Sequence, residues 1–161
     1  MKRKLTLLVA AIAILFTACT KDEENPVISN SSWTFNGLVH STVKSSRTAA
    51  SGNAAGQITF TDSNKGREGT LTVYFKALPQ TAGTYTLVQG LGSGLGTNEV
   101  AVSATAGTSG STFAYNETGS VTVQVTITDN GKIKIDIPEV TLNSSAGSEN
   151  YKLSASVYEV N

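Results

Sequence analysis

Ser120 to Ile137 reads SVTVQVTITDNGKIKIDI, and this stretch decides the fold. Val121, Val123, Val125 and Ile127 alternate with polar residues, as do Ile133, Ile135 and Ile137, so each run presents one apolar face at the period of a β-strand. Asp129-Asn130-Gly131 separates the runs, and an Asn-Gly pair supplies the positive φ angles of a tight type I′ turn. The sequence therefore predicts an antiparallel hairpin, Ser120–Thr128 with Lys132–Ile137. Pro138 then removes a ladder donor, which predicts an edge or a bulge before Glu139–Leu142 resumes.

The same alternation extends over most of the chain. It predicts strands at Trp33–Val43, Gly56–Thr61, Thr70–Ala77, Thr84–Val88, Glu99–Ala104, Thr112–Tyr115 and Tyr151–Val160. Turn-rich segments lie between them, at 62–66, 79–83, 90–98 and 106–110. No stretch after residue 19 repeats apolar residues at the helical period. The expectation is an all-β fold, an antiparallel β-sandwich of about eight to ten strands without substantial helix, with a closed β-barrel as the alternative. Its inward set is Trp33, Phe35, Ile58, Phe60, Leu71, Val73, Phe75, Tyr85, Leu87, Val100, Val102, the Val121 and Ile133 series, Leu153 and Val157.

The N-terminus has a different character. Lys2, Arg3 and Lys4 precede an apolar run, Leu5 to Ala18, of 14 residues, and the run ends at Cys19, the only cysteine of the chain. The run falls short of the roughly 20 residues that cross a bilayer as a helix, so it reads as an export signal over residues 1–18. Phe16-Thr17-Ala18-Cys19 resembles the lipobox of bacterial lipoproteins, with Phe16 where an aliphatic residue is usual. That resemblance implies that Cys19 is acylated and becomes the first residue of the mature chain. One acyl chain binds a membrane only marginally, at about 0.8 kcal/mol per buried methylene, whereas two or three hold stably.

Lys21, Asp22, Glu23 and Glu24 follow the cysteine and lead through Asn25 to Pro26, a charged tether that spans residues 19–31. A lysine followed by acidic residues after the acylated cysteine is similar to the export signal of surface-exposed lipoproteins of the Bacteroidota. The resemblance implies an outer-membrane lipoprotein facing the cell exterior, with the periplasmic face as the alternative. Leu78–Leu87, a proline turn that opens Gly-Thr-Tyr-Thr-Leu, resembles a hairpin of small β-rich lipoproteins in the same group.

Composition narrows the rest. Removing Lys2, Arg3 and Lys4 leaves nine basic and twelve acidic side chains, a net charge of −3 with no basic stripe, so nucleic acid is not an expected partner. Residues 32–161 suffice for a single domain that buries about two-thirds of its unfolded surface. With its one thiol assigned to the anchor, that domain lacks an internal disulfide and needs no cofactor that the sequence announces.

Candidate chemistry is sparse. His40, the sole histidine, falls on the solvent side if Trp33–Val43 is one strand; a hydrolase would need it as base beside a nucleophile such as Ser41, with a carboxylate such as Asp136 to orient it, and no elbow motif accompanies it. A structural zinc site lacks ligands, and no metal is expected. Asp62–Glu68 alternates oxygen-bearing residues as a calcium loop does, but Lys65 and Arg67 oppose a cation, and an ordinary turn is the expectation. Gly90–Gly96 is glycine-rich, yet it lacks the lysine and the following helix of a phosphate loop. Tyr74, Tyr115 and Tyr158 are candidates for an aromatic platform that takes a glycan or a protein. The expected function is non-enzymatic binding at the cell surface; the alternative is a structural or adhesive subunit assembling through strand edges, and a hydrolase using His40 ranks last.

Overall fold

The computed structural model describes residues 30–106 and 110–160. Eleven strands follow in chain order: β1 (Ser32–Phe35), β2 (Leu38–Ser41), β3 (Lys44–Thr48), β4 (Gly56–Asp62), β5 (Gly69–Phe75), β6 (Gly83–Leu87), β7 (Glu99–Ala106), β8 (Thr112–Tyr115), β9 (Val121–Ile127), β10 (Ile133–Ser144) and β11 (Asn150–Tyr158). There is no helix among the described residues, so the all-β expectation holds.

The strands form one sheet in the order β2-β1-β11-β10-β9-β6-β7-β5-β4-β3, and β8 pairs with both β10 and β7. This double pairing closes a ring of five strands, β10-β9-β6-β7-β8, which is the barrel alternative; β2-β1-β11 and β5-β4-β3 extend from the ring as two wings. β10 makes closure possible because its two halves face different neighbours. Ile133–Asp136 pair with β9, whereas Leu142–Ser144 pair with β8, and a register shift between Ile137 and Val140 separates the halves. Pro138 lies in that shift: a residue without an amide proton fits where the ladder is interrupted, and the bulge bends the strand.

Three expectations need correction. Asn130-Gly131 is not a type I′ turn, because only Gly131 has positive φ, at 74°. Gly131 N–H donates to Thr128 O at 2.8 Å and Thr128 N–H to Lys132 O at 2.8 Å, a three-residue loop with glycine in the left-handed position. The hairpin itself is present, with Ile133 opposite Ile127. Second, Trp33–Val43 is not one strand: Asn36 and Gly37 have φ of 50° and 76°, the pair of positive angles that a type I′ turn needs, and they fold β2 back on β1. Third, β6 and β7 run parallel, with Leu87 opposite Val100, so the ladder is not purely antiparallel.

The interior matches the alternation closely. Trp33, Phe35, Ile58, Phe60, Leu71, Val73, Phe75, Leu87, Val100, Val102, Val123, Val125, Ile133, Ile135, Ile137, Leu153 and Val157 are all buried in one cluster, with Tyr85, Val121 and Ile127 packed half-buried against it. Phe113, Tyr115, Val140 and Leu142 join them.

The wings are fastened at the chain's far end. β3 carries no apolar side chain, and polar groups hold it to the segment that follows β11. Ser45 Oγ donates to Val160 O at 2.6 Å and accepts from Val160 N–H at 2.9 Å. Arg47 makes a bidentate pair with the carboxylate of Glu159, which also accepts from Ile133 N–H at 2.7 Å. Glu159 is buried, and these three donors compensate its charge.

Candidate functional site

Cys19, Lys21, Asp22, Glu23 and Glu24 lie outside the described residues. The remaining candidates are placed as follows.

His40 is buried at 0% exposure, not on the solvent side. The Asn36-Gly37 turn is the reason: it resets the alternation, so His40 sits opposite Trp33 on the core face of the hairpin. The imidazole stacks on the Trp33 indole, with centroids 4.9 Å apart and planes 8° from parallel. Nδ1 donates to Arg67 O at 2.8 Å and is 3.8 Å from Asp62 Oδ2, while Nε2 is buried without a partner. Ser41 uses its N–H on Asp62 Oδ2 at 3.0 Å. Asp136 is engaged elsewhere, accepting from Lys134 Nζ at 2.9 Å and Ser156 Oγ at 2.6 Å. A general base needs an approach for substrate, and His40 has none.

Asp62 is a structural carboxylate. Oδ1 accepts from Asn64 N–H at 2.9 Å and from Asn64 Nδ2 at 2.7 Å, which fixes the Asp62–Glu68 turn. Burial pushes its carboxyl upward, but the hydrogen bonds from Asn64 and Ser41 and the charge of Arg67 outweigh it, and the net shift is below the ordinary carboxylate value. No group of three or more potential metal-ligating His, Cys, Asp or Glu side chains occurs among the described residues.

The three tyrosines do not meet. Tyr115 is 1% exposed and belongs to the core, which removes it from any surface platform; burial and the nearby Glu117 carboxylate raise its phenol above the usual range. It faces inward because β8 fills the gap between β7 and β10, with Phe113 and Tyr115 on the barrel side. Tyr158 stays half-buried on β11, opposite Lys134, and Tyr74 half-buried on β5, with β10, β8 and β7 between the two strands.

Tyr74 nevertheless marks a site. Its hydroxyl pairs with Ser103 Oγ at 3.2 Å, and Gly92 rests on the side chain so closely that a Cβ on Gly92 would lie 2.8 Å from Tyr74 Cβ and Cδ1. Gly92 belongs to the connection between the parallel strands β6 and β7. Such a pair cannot be joined by a tight turn, and the connection over residues 88–98 brings Gly92 onto Tyr74 on the outer face of β5. Facing it is the β3–β4 connection, closed by Ser51 N–H to Ala54 O at 3.2 Å and the reciprocal bond at 2.9 Å.

Between these two loops lies a cleft with two adjoining depressions of about 220 and 290 Å³. Gln57, Tyr74 and Leu91 line the first, Lys76 and Gly94 the second, and Asn53 and Ser93 line both. The side chains of Asn53, Gln57, Lys76 and Ser93 make no hydrogen bond or ion pair with other described residues. Leu91 is 52% exposed, whereas Leu95 is buried and pins the loop. The glycine-rich segment was legible in the sequence, but Lys76, Gln57 and Asn53 were not, because β4, β5 and a separate loop bring them to it. No family signature, curated sequence or solved structure matches this chain.

Proposed function

We propose that this chain is a lipid-anchored, non-enzymatic binding protein on the outer membrane, facing the cell exterior, with its ligand seated in the cleft between residues 52–55 and 91–95. The cleft is the observation that carries the reading: four polar side chains without intramolecular partners converge there beside an exposed leucine and a tyrosine edge. Such a mixture of free polar groups and apolar wall suits a glycan or a peptide. The sole cysteine at the end of the apolar N-terminal run supports the anchor, and the acidic tether after it supports the outward orientation.

The test has two arms. Metabolic labelling with a clickable fatty acid should mark the wild type and leave Cys19→Ser unlabelled, and replacing Lys21, Asp22, Glu23 and Glu24 by alanine should protect the domain from protease added to whole cells. In a glycan and peptide screen, the wild type should retain a ligand that the double variant Gln57→Ala, Leu91→Asp loses. Equal labelling of both proteins sinks the anchor, and equal retention by both sinks the cleft.

A second reading has its own observation. Leu38 and Val39 on β2, the terminal strand of the sheet, are 40% and 51% exposed, and Val43 just beyond is 43% exposed. An apolar edge of this kind favours assembly through strand pairing. Concentration-dependent multimers that Val39→Lys abolishes would favour that reading over the first.

A further inference from the structure

We infer that the Gly90–Leu95 loop and Lys76 together form an oxyanion subsite, and that the cleft takes an acidic saccharide, one bearing a carboxylate or a sulfate. This rests on the binding role proposed above and specifies its ligand.

The backbone is the first support. Gly90, Gly92 and Gly94 have φ of 106°, 88° and 74°, while Leu91 and Ser93 between them are not left-handed. Positive-φ glycines interleaved with ordinary residues are the backbone pattern from which anion-binding concavities are built. The N–H groups of Leu91, Gly92, Ser93 and Gly94 have no hydrogen-bond partner among the described residues. The loop's ends, in contrast, are tied: Gly90 N–H donates to Tyr115 O at 3.4 Å and Gly96 N–H to Glu99 Oε2 at 2.7 Å. With Gly92 seated on Tyr74 and Leu95 buried, the donors are held in place before any ligand arrives.

Charge is the second support. The sequence has no lysine within this loop, but β5 ends just before Lys76, which lines the same depression as Gly92, Ser93 and Gly94. Lys76 is exposed and has no carboxylate partner among the described residues, and no acidic side chain lines either depression. Glu99, the acid nearest in sequence, already holds Gly96 N–H. An anion placed there would meet the ammonium and the free amides at once. The adjoining depression supplies what a sugar ring needs: the amides of Asn53 and Gln57 for hydroxyls, and Leu91 beside Tyr74 for the apolar ring face.

The experiment is titration of the full chain in detergent micelles, followed through the backbone amide resonances. The probes are trigalacturonate, a sulfated chondroitin tetrasaccharide, neutral cellotriose and inorganic phosphate. At least one acidic saccharide should shift the amides of residues 91–94, bind more weakly as salt rises, and lose roughly tenfold in affinity in Lys76→Gln, the scale of one charge-assisted hydrogen bond. The unshifted remainder of the spectrum shows that the variant is folded. Cellotriose binding as tightly as the acids, and insensitive to Lys76→Gln, overturns the acidic specificity while leaving the binding role intact. Phosphate binding as tightly as the saccharides overturns the sugar assignment, and no shift with any probe overturns the inference as a whole; the screen with the Gln57→Ala, Leu91→Asp variant decides the broader reading separately.

Discussion

Trp33 and His40 face each other across the first hairpin with their rings 4.9 Å apart and nearly parallel. The pair is sealed from solvent, and His40 Nδ1 reaches across to Arg67 O. His40→Ala should therefore cost about 2–4 kcal/mol, in the range of other large buried truncations. His40→Phe keeps the stack and removes the unpartnered Nε2, so it should cost less than the alanine variant. Urea unfolding followed by Trp33 fluorescence measures both; an alanine variant as stable as wild type would contradict the packing.

Gly69 and Gly37 are required for different reasons, and their variants should separate. A Cβ on Gly69 would lie 2.9 Å from His40 Cε1 and 2.9 Å from Thr105 O, so Gly69→Ala forces either the imidazole or the backbone to move. Overpacking of this kind costs about 1–3 kcal/mol. At Gly37 there is open space, and only the φ of 76° opposes a side chain, at about 1 kcal/mol for alanine. The urea midpoint should fall further for Gly69→Ala, and the opposite order would show that the His40 side of β5 yields easily.

Asp62 gives the domain an acid-sensitive joint. Its folded carboxyl ionises below the unfolded value of about 3.9, so its contribution to stability is complete above that pH and is lost as the pH falls through the folded value. His40 Nδ1 at 3.8 Å and Arg67 are the charged or titratable groups beside it. Asp62→Asn should flatten the acid limb of the stability curve while lowering stability at neutral pH by about 1–3 kcal/mol through the weakened bonds to Ser41 and Asn64. Parallel acid limbs in the two proteins would assign the sensitivity to another group.

Much of this molecule follows from its alternation, and the departures have local causes. Every strand with three or more inward apolar residues is legible, because burying one face of a pleat fixes which residues point in. His40 falls on the solvent face only if Trp33–Val43 is one unbroken strand: Asn36-Gly37 carries the same turn signal as Asn130-Gly131, yet just five residues, two of them apolar, separate it from Val43, too few for a second run to stand out. β3 was invisible, since Lys-Ser-Ser-Arg-Thr has no apolar period and is held by Ser45 and Arg47 acting through their polar ends. Tyr115 was misplaced because its facing depends on β8 closing the ring, a long-range pairing that no local pattern encodes. The cleft escaped for the same reason: Gln57, Lys76 and the glycines come from separate segments.

Arg47 and Glu159 should respond unequally to removal. Glu159 is buried and Arg47 half-exposed, with side-chain exposures of 8% and 40%. Arg47→Ala strands a buried carboxylate with only the Ile133 N–H, at a cost of about 2–4 kcal/mol, below the upper limit for fully buried pairs because solvent reaches the guanidinium side. Glu159→Ala releases an arginine that water can solvate and orphans only the neutral Ile133 N–H, so it should cost less than Arg47→Ala, which strands a charge. A double-mutant cycle read by urea unfolding gives the coupling, and equal single-variant costs would mean that Glu159 finds solvent.

β1 has two neighbours, its hairpin partner β2 and the last strand, β11. The consequence is temporal. A ribosome makes Trp33 and Phe35 early, but their wall, Leu153 to Val157, comes more than a hundred residues later, and so do Tyr158, Glu159 and Val160, which clasp Ser31, Arg47 and Ser45. Closing loops of that length is entropically costly and slows folding. Until β11 is synthesised, the chain cannot assemble its complete interior, so the order of the strands itself keeps the earlier segments waiting for the last one.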